Sequence, residues 1–193
     1  YYINLYDIWS SYQPESSGIV IAYTSVYGNT KAAVLKLAEE LKANGCPKVV
    51  VNDLARCDMA EAVEDAFRYE KLVLATTTYN SEIFPFMREF IHHLVERNFS
   101  NRTVAFIENG TWAPTAARVM KQMLEKCKNL TYCENEVRIM SALNDTSKEQ
   151  LNNLNQEHSN TKSANNYLKT QYNELQKSML TSKTDVEILS KLK

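Results

Sequence analysis

The chain has 193 residues, a formal net charge of -1 and 44% hydrophobic residues, enough for one domain with a sizeable core plus appendages. It carries no basic stripe of the kind that tracks a nucleic acid, and no apolar run near the roughly 20 residues that span a bilayer. Its four cysteines, Cys46, Cys57, Cys127 and Cys133, form no Cys-x-x-Cys pair, so reduced thiols in a cytoplasmic protein are expected rather than a zinc site or a disulfide framework.

In chain order, residues 1–18 open with Tyr1, Tyr2, Tyr6, Trp9 and Tyr12 and pass into polar Gln13-Pro14-Glu15-Ser16-Ser17-Gly18. The aromatic part has enough ring area to dock on its own domain or on a neighbour, and the polar part reads as a linker. The first residue is not Met, so the chain is expected to be a fragment or a processed piece. Ile19-Val20-Ile21-Ala22-Tyr23 is a strand-like run, after which Val34, Leu37, Ala38 and Leu41 recur at helical spacing up to Asn44-Gly45, a helix stop. Val49-Val50-Val51 predicts a second strand. Asp58 is placed to cap a helix that turns Met59, Ala62, Val63, Ala66 and Phe67 inward. Leu72-Val73-Leu74-Ala75 predicts a third strand, and Pro85 suits the first position of a helix carrying Met87, Phe90, Ile91 and Leu94. Val104-Ala105-Phe106-Ile107 predicts a fourth strand. Pro114 is expected to open a helix with Ala116, Met120, Met123 and Cys127 toward the core. A fifth strand is expected within residues 130–140, and Thr146-Ser147-Lys148-Glu149-Gln150 supplies overlapping capping boxes for a last helix.

The strands are continuous apolar runs, the mark of a sheet covered on both faces. Five of them alternating with helices predict a doubly wound α/β domain over residues 19–154. Such sheets bind ligands beyond the carboxyl ends of the strands, where strand order reverses. Three loops therefore matter. Thr24-Ser25-Val26-Tyr27-Gly28-Asn29-Thr30 joins the first strand to a helix N-terminus. Free N–H groups and the helix dipole suit a phosphate monoester there, with Thr24, Ser25 and Thr30 as hydroxyl donors and Gly28 permitting close approach. The loop lacks the Gly-Lys of a nucleoside-triphosphate loop and the three glycines of a dinucleotide loop. Thr76-Thr77-Thr78-Tyr79-Asn80-Ser81-Glu82 follows the third strand, and Glu108-Asn109-Gly110-Thr111-Trp112-Ala113-Pro114 the fourth. Each offers one large aromatic, Tyr79 and Trp112, to flank a flat ring tethered to the phosphate. Backbone groups around Thr78 and Asn80, and around Asn109 to Thr111, would serve its polar edge.

These residues resemble the flavodoxin-like FMN domain of the flavodiiron proteins, from about Tyr6 to about Leu154. Tyr27-Gly28-Asn29-Thr30 is the most specific part. Thr77 to Ser81 with Phe84-Pro85, and Asn109-Gly110-Thr111-Trp112-Ala113-Pro114, are similar to the second and third flavin loops of that family. Tyr6-Asp7-Ile8-Trp9 resembles the connector that leaves its diiron domain. The resemblance implies a five-stranded flavodoxin-like fold, FMN as cofactor, a rubredoxin-like or reductase electron donor, and delivery to a diiron domain, usually that of a second subunit in a homodimer. No side chain is then needed as an acid, base or nucleophile.

The iron ligands of that family have no counterpart here. The chain has only His92, His93 and His158, and adjacent His92 and His93 point about 100° apart on a helix. The expectation is an electron-transfer module without its metal domain, and with no metal site of its own. Because the flavin loops hold only Glu82 and Glu108, a less negative second flavin potential is expected than in a shuttle flavodoxin. A free-standing flavodoxin or flavin-dependent quinone reductase is the redox alternative, and a flavin-free scaffold of this fold the non-redox one. A phospho-receiver domain is excluded, because Thr24-Ser25 and Thr76-Thr77 stand where its acids would be. A low-molecular-weight phosphatase is excluded by the absence of a Cys-x5-Arg loop. Residues 155–193 turn polar and match nothing in the family. Leu168, Tyr172, Leu175, Met179, Val186 and Leu189 fall on an a/d-like register, which suits either a partner helix of a coiled coil or an amphipathic helix or mobile extension of the domain itself.

Overall fold

A computed structural model describes residues 2–160, 170–172 and 174. The chain divides into two units, the first ending at Asn155 and the second beginning at Gln156. In the first, the elements are α1 (Tyr2–Ser10), β1 (Ser16–Tyr23), α2 (Asn29–Ala43), β2 (Val49–Asp53), α3 (Met59–Arg68), β3 (Tyr69–Tyr79), β4 (Glu82–Ile83), α4 (Pro85–Glu96), β5 (Thr103–Asn109), α5 (Ala116–Leu124), β6 (Thr131–Tyr132) and β7 (Val137–Ile139). A last helix, α6, starts at residue 145. In the second unit, residues 156–160, 170–172 and 174 are helical. Of the register expected in the tail, Leu168, Leu175, Met179, Val186 and Leu189 lie outside the described residues.

The sheet order is β2-β1-β3-β5-β6, with β7 also on β5 and β4 on β3. All pairings are parallel except β3–β4. The chain steps from β1 outward to β2, then returns past β1 to β3, so strand order reverses between β1 and β3. Alternation along each strand fills two cores. Val20, Ala22, Leu72, Leu74, Val104 and Phe106 pack under α3, α4 and α5. Ile19, Ile21, Tyr23, Val73, Ala75, Ala105 and Ile107 pack under α2 and under Leu151 and Leu154 of α6. A side-chain period of two in a run apolar throughout feeds both layers at once.

Local signals set most boundaries. Asp58 Oδ1 accepts from Ala60 N–H at 2.7 Å at the start of α3. Pro85 is the first residue of α4. α2 ends in a Schellman turn, with Gly45 N–H donating to Lys42 O and Cys46 N–H to Leu41 O, both at 3.0 Å, and Gly45 at φ 74°.

Five sequence expectations need correction. The linker assigned to residues 13–18 includes the start of β1, since Ser16 pairs with Tyr69 ahead of a bulge. The stretch Thr76–Tyr79 is strand: Thr76 and Thr77 pair with Glu108 and Asn109 of β5, and Thr78 and Tyr79 pair with β4. A run of three β-branched threonines and a tyrosine favours that state. The turn is only Asn80-Ser81, both at positive φ, as a two-residue hairpin requires. Pro114 lies one residue ahead of the Thr115 N-cap of α5. The last helix is capped two residues earlier than expected: Ser147 N–H donates to Asn144 Oδ1 at 2.8 Å and Asn144 N–H to Ser147 Oγ at 2.9 Å, a reciprocal box built on Asn144. The fifth strand is two short pieces, β6 and β7, either side of residues 133–136.

Candidate functional site

The carboxyl ends of β1, β3 and β5 meet in a cleft of about 200 Å³. Ser25, Val26, Tyr27, Asn29 and Thr30 line it from the first loop, Thr77 and Thr78 from β3, and Asn109, Gly110 and Thr111 from the end of β5. Ser141, which sequence reading missed, completes the wall. It follows the split fifth strand, so it too stands at the carboxyl edge of the sheet. That position was the available signal.

The first loop is braced from within. Ser25 Oγ accepts from Gly28 N–H at 3.1 Å and Lys31 N–H at 3.2 Å. Gly28 is the N-cap of α2, at φ 87°, and gives it no side-chain cap. A Cβ at Gly28 would meet nothing within 4 Å, so the glycine is required by the left-handed backbone and not by close approach of protein. In the first turn of α2, Lys31 N–H goes to Ser25 Oγ and Ala32 N–H to Gly28 O. The N–H groups of Asn29 and Thr30 find no acceptor among the described residues. Two unclaimed donors at a helix N-terminus beside a cleft are what a phosphate monoester needs.

Thr24, expected as a phosphate donor, is withdrawn from the cleft. It is fully buried, and its Oγ1 lies 2.6 Å from Thr76 Oγ1, so it ties β1 to β3 beneath the site. Thr30 Oγ1 accepts from Asn109 Nδ2 at 3.3 Å and keeps its own proton to donate. Asn109 Nδ2 also reaches Ser141 O at 3.1 Å. Thr78 Oγ1 accepts from Thr115 N–H at 3.0 Å. Space is tight at Gly110: a Cβ there would sit 3.1 Å from Pro114 and 3.2 Å from Thr78 Oγ1, so those neighbours would have to give by a few tenths of an ångström.

Five expected ring contacts stand outside the cleft wall. Tyr79 packs edge-on against Phe84 with ring centroids 5.5 Å apart and stays exposed, as do Asn80, Ser81 and Ala113. Trp112 is 94% exposed and is an arm projecting from the mouth. The two acids of these loops do not face the cleft as free charges. Glu82 pairs with Arg88. Glu108 is buried on the α5 side, where Oε2 accepts from Ala117 N–H at 3.0 Å and Oε1 from Arg138 Nε at 2.6 Å. A larger groove of about 700 Å³ lies on that side, bordered by Glu108, Lys121, Glu136 and Arg138. The Arg138–Glu108 and Lys121–Glu136 pairs are part of its lining.

Beside the mouth, Tyr23 Oη donates to Asp53 Oδ2 at 3.1 Å, and Arg56 Nη1 reaches the same oxygen at 2.9 Å. Burial and the Asp53 hydrogen bond push the Tyr23 phenol up to about 12. Among the described residues, no group of three or more His, Cys, Asp or Glu could hold a metal ion, and no helix is long and apolar enough to cross a membrane.

The family model described as a flavodoxin domain matches residues 20–182, and the chain belongs to that family. FMN is the cofactor this membership implies, and the open donors of α2 and the polar cleft fit it. Among solved structures, the chain is similar to the rubredoxin oxygen:oxidoreductase from the anaerobe Desulfovibrio gigas, with a TM-score of 0.73 and 18% identity over 84% of this chain and 40% of that one. It is similar to the flavodiiron protein from Giardia intestinalis, with a TM-score of 0.71 and 18% identity over 82% of this chain and 38% of that one. It is also similar to flavodoxin 1 from Bacillus cereus, with a TM-score of 0.63 and 16% identity over 74% of this chain and 96% of that one. The chain thus spans about two fifths of the first two of these chains and nearly the whole of the third. No curated protein matches it in sequence.

Proposed function

We propose that the chain is the FMN-binding electron-transfer module of a flavodiiron-type oxidoreductase, taking electrons from a rubredoxin-like or reductase donor on behalf of a diiron domain that reduces oxygen, nitric oxide or both. FMN, when bound, supplies the redox chemistry. The chain's residues bind and orient it. Asn29 and Thr30 N–H groups and the Thr30 hydroxyl hold its phosphate. Thr77, Thr78, Asn109, Gly110 and Thr111 meet its polar edge. Tyr79 and Trp112, which stand outside the cleft wall, flank the part of the ring that projects from the mouth.

The observation that carries this reading over a free-standing flavodoxin is α1. It presents Tyr2, Ile3, Tyr6 and Trp9 to solvent and buries none of its residues. A free-standing electron carrier has no use for an exposed aromatic arm, whereas a connector to a neighbouring domain does. The arm is held at the amino ends of the strands: Arg102 Nη1 donates to Tyr12 O at 2.7 Å and Asn101 Nδ2 to Ser11 O at 3.2 Å. From Tyr69 to Thr76, β3 advances about 23 Å at about 3.3 Å per residue, so the arm and the flavin mouth are at opposite ends of the sheet. That separation favours a flavin serving a second subunit, hence a homodimer. The test is anaerobic rapid mixing of the FMN-loaded chain with reduced rubredoxin. Bleaching of the flavin well above the rate for free FMN is expected, and a rate no faster than free FMN would sink the donor assignment.

A further inference from the structure

We propose that Glu108 is a positioning residue for the flavin ring, acting through the loop that carries Trp112; the proposal rests on the FMN assignment above. Glu108 and Asn109 end β5 and point to opposite faces of the sheet. Asn109 braces the cleft on the α2 side through Thr30 and Ser141. Glu108 braces it on the α5 side. Its carboxylate, with a side chain 3% exposed, accepts from Ala117 N–H at the start of α5 and from Arg138 of β7. Thr115, the N-cap of α5, makes no side-chain cap bond. The cap of this helix is therefore supplied by the residue that starts the loop, and an anion suits the helix N-terminus. The Glu108–Ala117 bond closes the loop on itself like a clasp. Trp112, at its middle and 94% exposed, contributes no packing that would hold the loop by itself. Inside the loop, Gly110 N–H to Ile139 O at 3.0 Å and Thr115 N–H to Thr78 Oγ1 at 3.0 Å complete the fixation. With Arg138 as its counter-ion, Glu108 puts no net charge beside the flavin. Its function is geometric.

The test uses the full chain, apo, titrated with FMN, with riboflavin and with inorganic phosphate. Glu108→Gln keeps the shape and loses the charge at both contacts, so the dissociation constants of FMN and riboflavin are expected to rise together, each about tenfold, with phosphate binding unchanged. Gly28→Ala, in the phosphate loop, should raise the FMN constant and leave that of riboflavin alone. In a Trp112→Ala background, Glu108→Gln should add little, because the two act on the same ring contact. A merely structural Glu108 would lower the melting temperature with flavin affinity intact, or would weaken phosphate as much as riboflavin. Either result overturns the proposal, as does full additivity with Trp112→Ala. Should Glu108→Gln not fold, Arg138→Met, at a side chain 58% exposed, decides instead: a parallel rise of several-fold in both flavin constants supports the clasp, and unchanged constants overturn it. Wild-type chain that binds neither flavin would overturn the cofactor assignment itself, a result separable from failure of the clasp.

Discussion

The two ends of the sheet handle backbone polarity in opposite ways. At the amino ends, a buried arginine serves a set of backbone carbonyls. Arg102, 3% exposed, donates through Nε to Tyr69 O at 2.9 Å, through Nη1 to Tyr12, Ser100 and Asn101 carbonyls, and through Nη2 to Phe67 O. Burial pulls its guanidinium down to about 10, and these hydrogen bonds all go to backbone carbonyls. At the carboxyl ends, donors are left open: the α2 N-terminus is uncapped by its own Gly28, and Glu82 and Glu108 of the neighbouring loops are paired with arginines. One end is finished as structure. The other is left with hydrogen-bonding capacity that a ligand can use, and that difference, more than the size of either groove, marks the functional end.

The largest test of this contrast is Arg102→Met. It strips the buried Tyr69 carbonyl and the part-buried carbonyls of Tyr12, Ser100, Asn101 and Phe67 of their donor, and unfolding free energy should fall by about 3 kcal/mol or more, measured by urea titration. Flavin affinity of the fraction still folded should be unchanged. A loss below about 1 kcal/mol would mean water serves those carbonyls equally well, and the contrast between the two ends would fail.

Thr24→Val comes next. It leaves the Thr76 hydroxyl unpaired beneath the cleft and should cost about 1–3 kcal/mol of stability. Because Thr24 does not line the cleft, FMN affinity should change less than tenfold. A larger affinity loss would return Thr24 to the phosphate site.

Trp112→Ala reverses the pattern. With its ring exposed, stability should stay within about 0.5 kcal/mol, whereas riboflavin and FMN should each bind about tenfold more weakly. Equal affinity in the variant would remove Trp112 from the ring site.

The smallest effect is on pH dependence. Tyr23 ionises near 12 in the fold and near 10 when unfolded. Over that window the folded state holds the extra proton, so this group's contribution to stability is present below pH 10 and lost as pH rises to 12. Arg102, pulled down by burial to about 10, acts with the opposite sign. Comparing wild type with Tyr23→Phe isolates the tyrosine: the variant should show a less negative slope of unfolding free energy between pH 10 and 12. An identical slope would detach Tyr23 from Asp53.

The notion that few acids near the flavin make its second potential less negative is sharpened by the geometry. Of the two acids in the loops, Glu82 is paired with Arg88 and Glu108 with Arg138. A spectroscopic redox titration giving a very low second couple would contradict it.

Much of the fold was legible because its signals are local. Apolar runs in β1, β3 and β5 specify strands covered on both faces. Asp58, Pro85 and Asn44-Gly45 act within a few residues of themselves, so their chemistry can be read without the fold. The loop between β1 and α2 was legible for the same reason: a strand, a glycine and a helix start are consecutive in the chain. The roles of Thr24, Glu108 and Arg102 were not legible. Each is decided by a partner 9 to 90 residues away, Thr76 for the first, Ala117 and Arg138 for the second, Phe67, Tyr69 and Tyr12 for the third. Sequence alone determined that a helix would begin beside a polar mouth in a doubly wound sheet. Only the tertiary structure decided which hydroxyls and carboxylates face that mouth, because a polar side chain bonds to whatever the packed strands bring within about 3 Å, and spacing along the chain does not encode that.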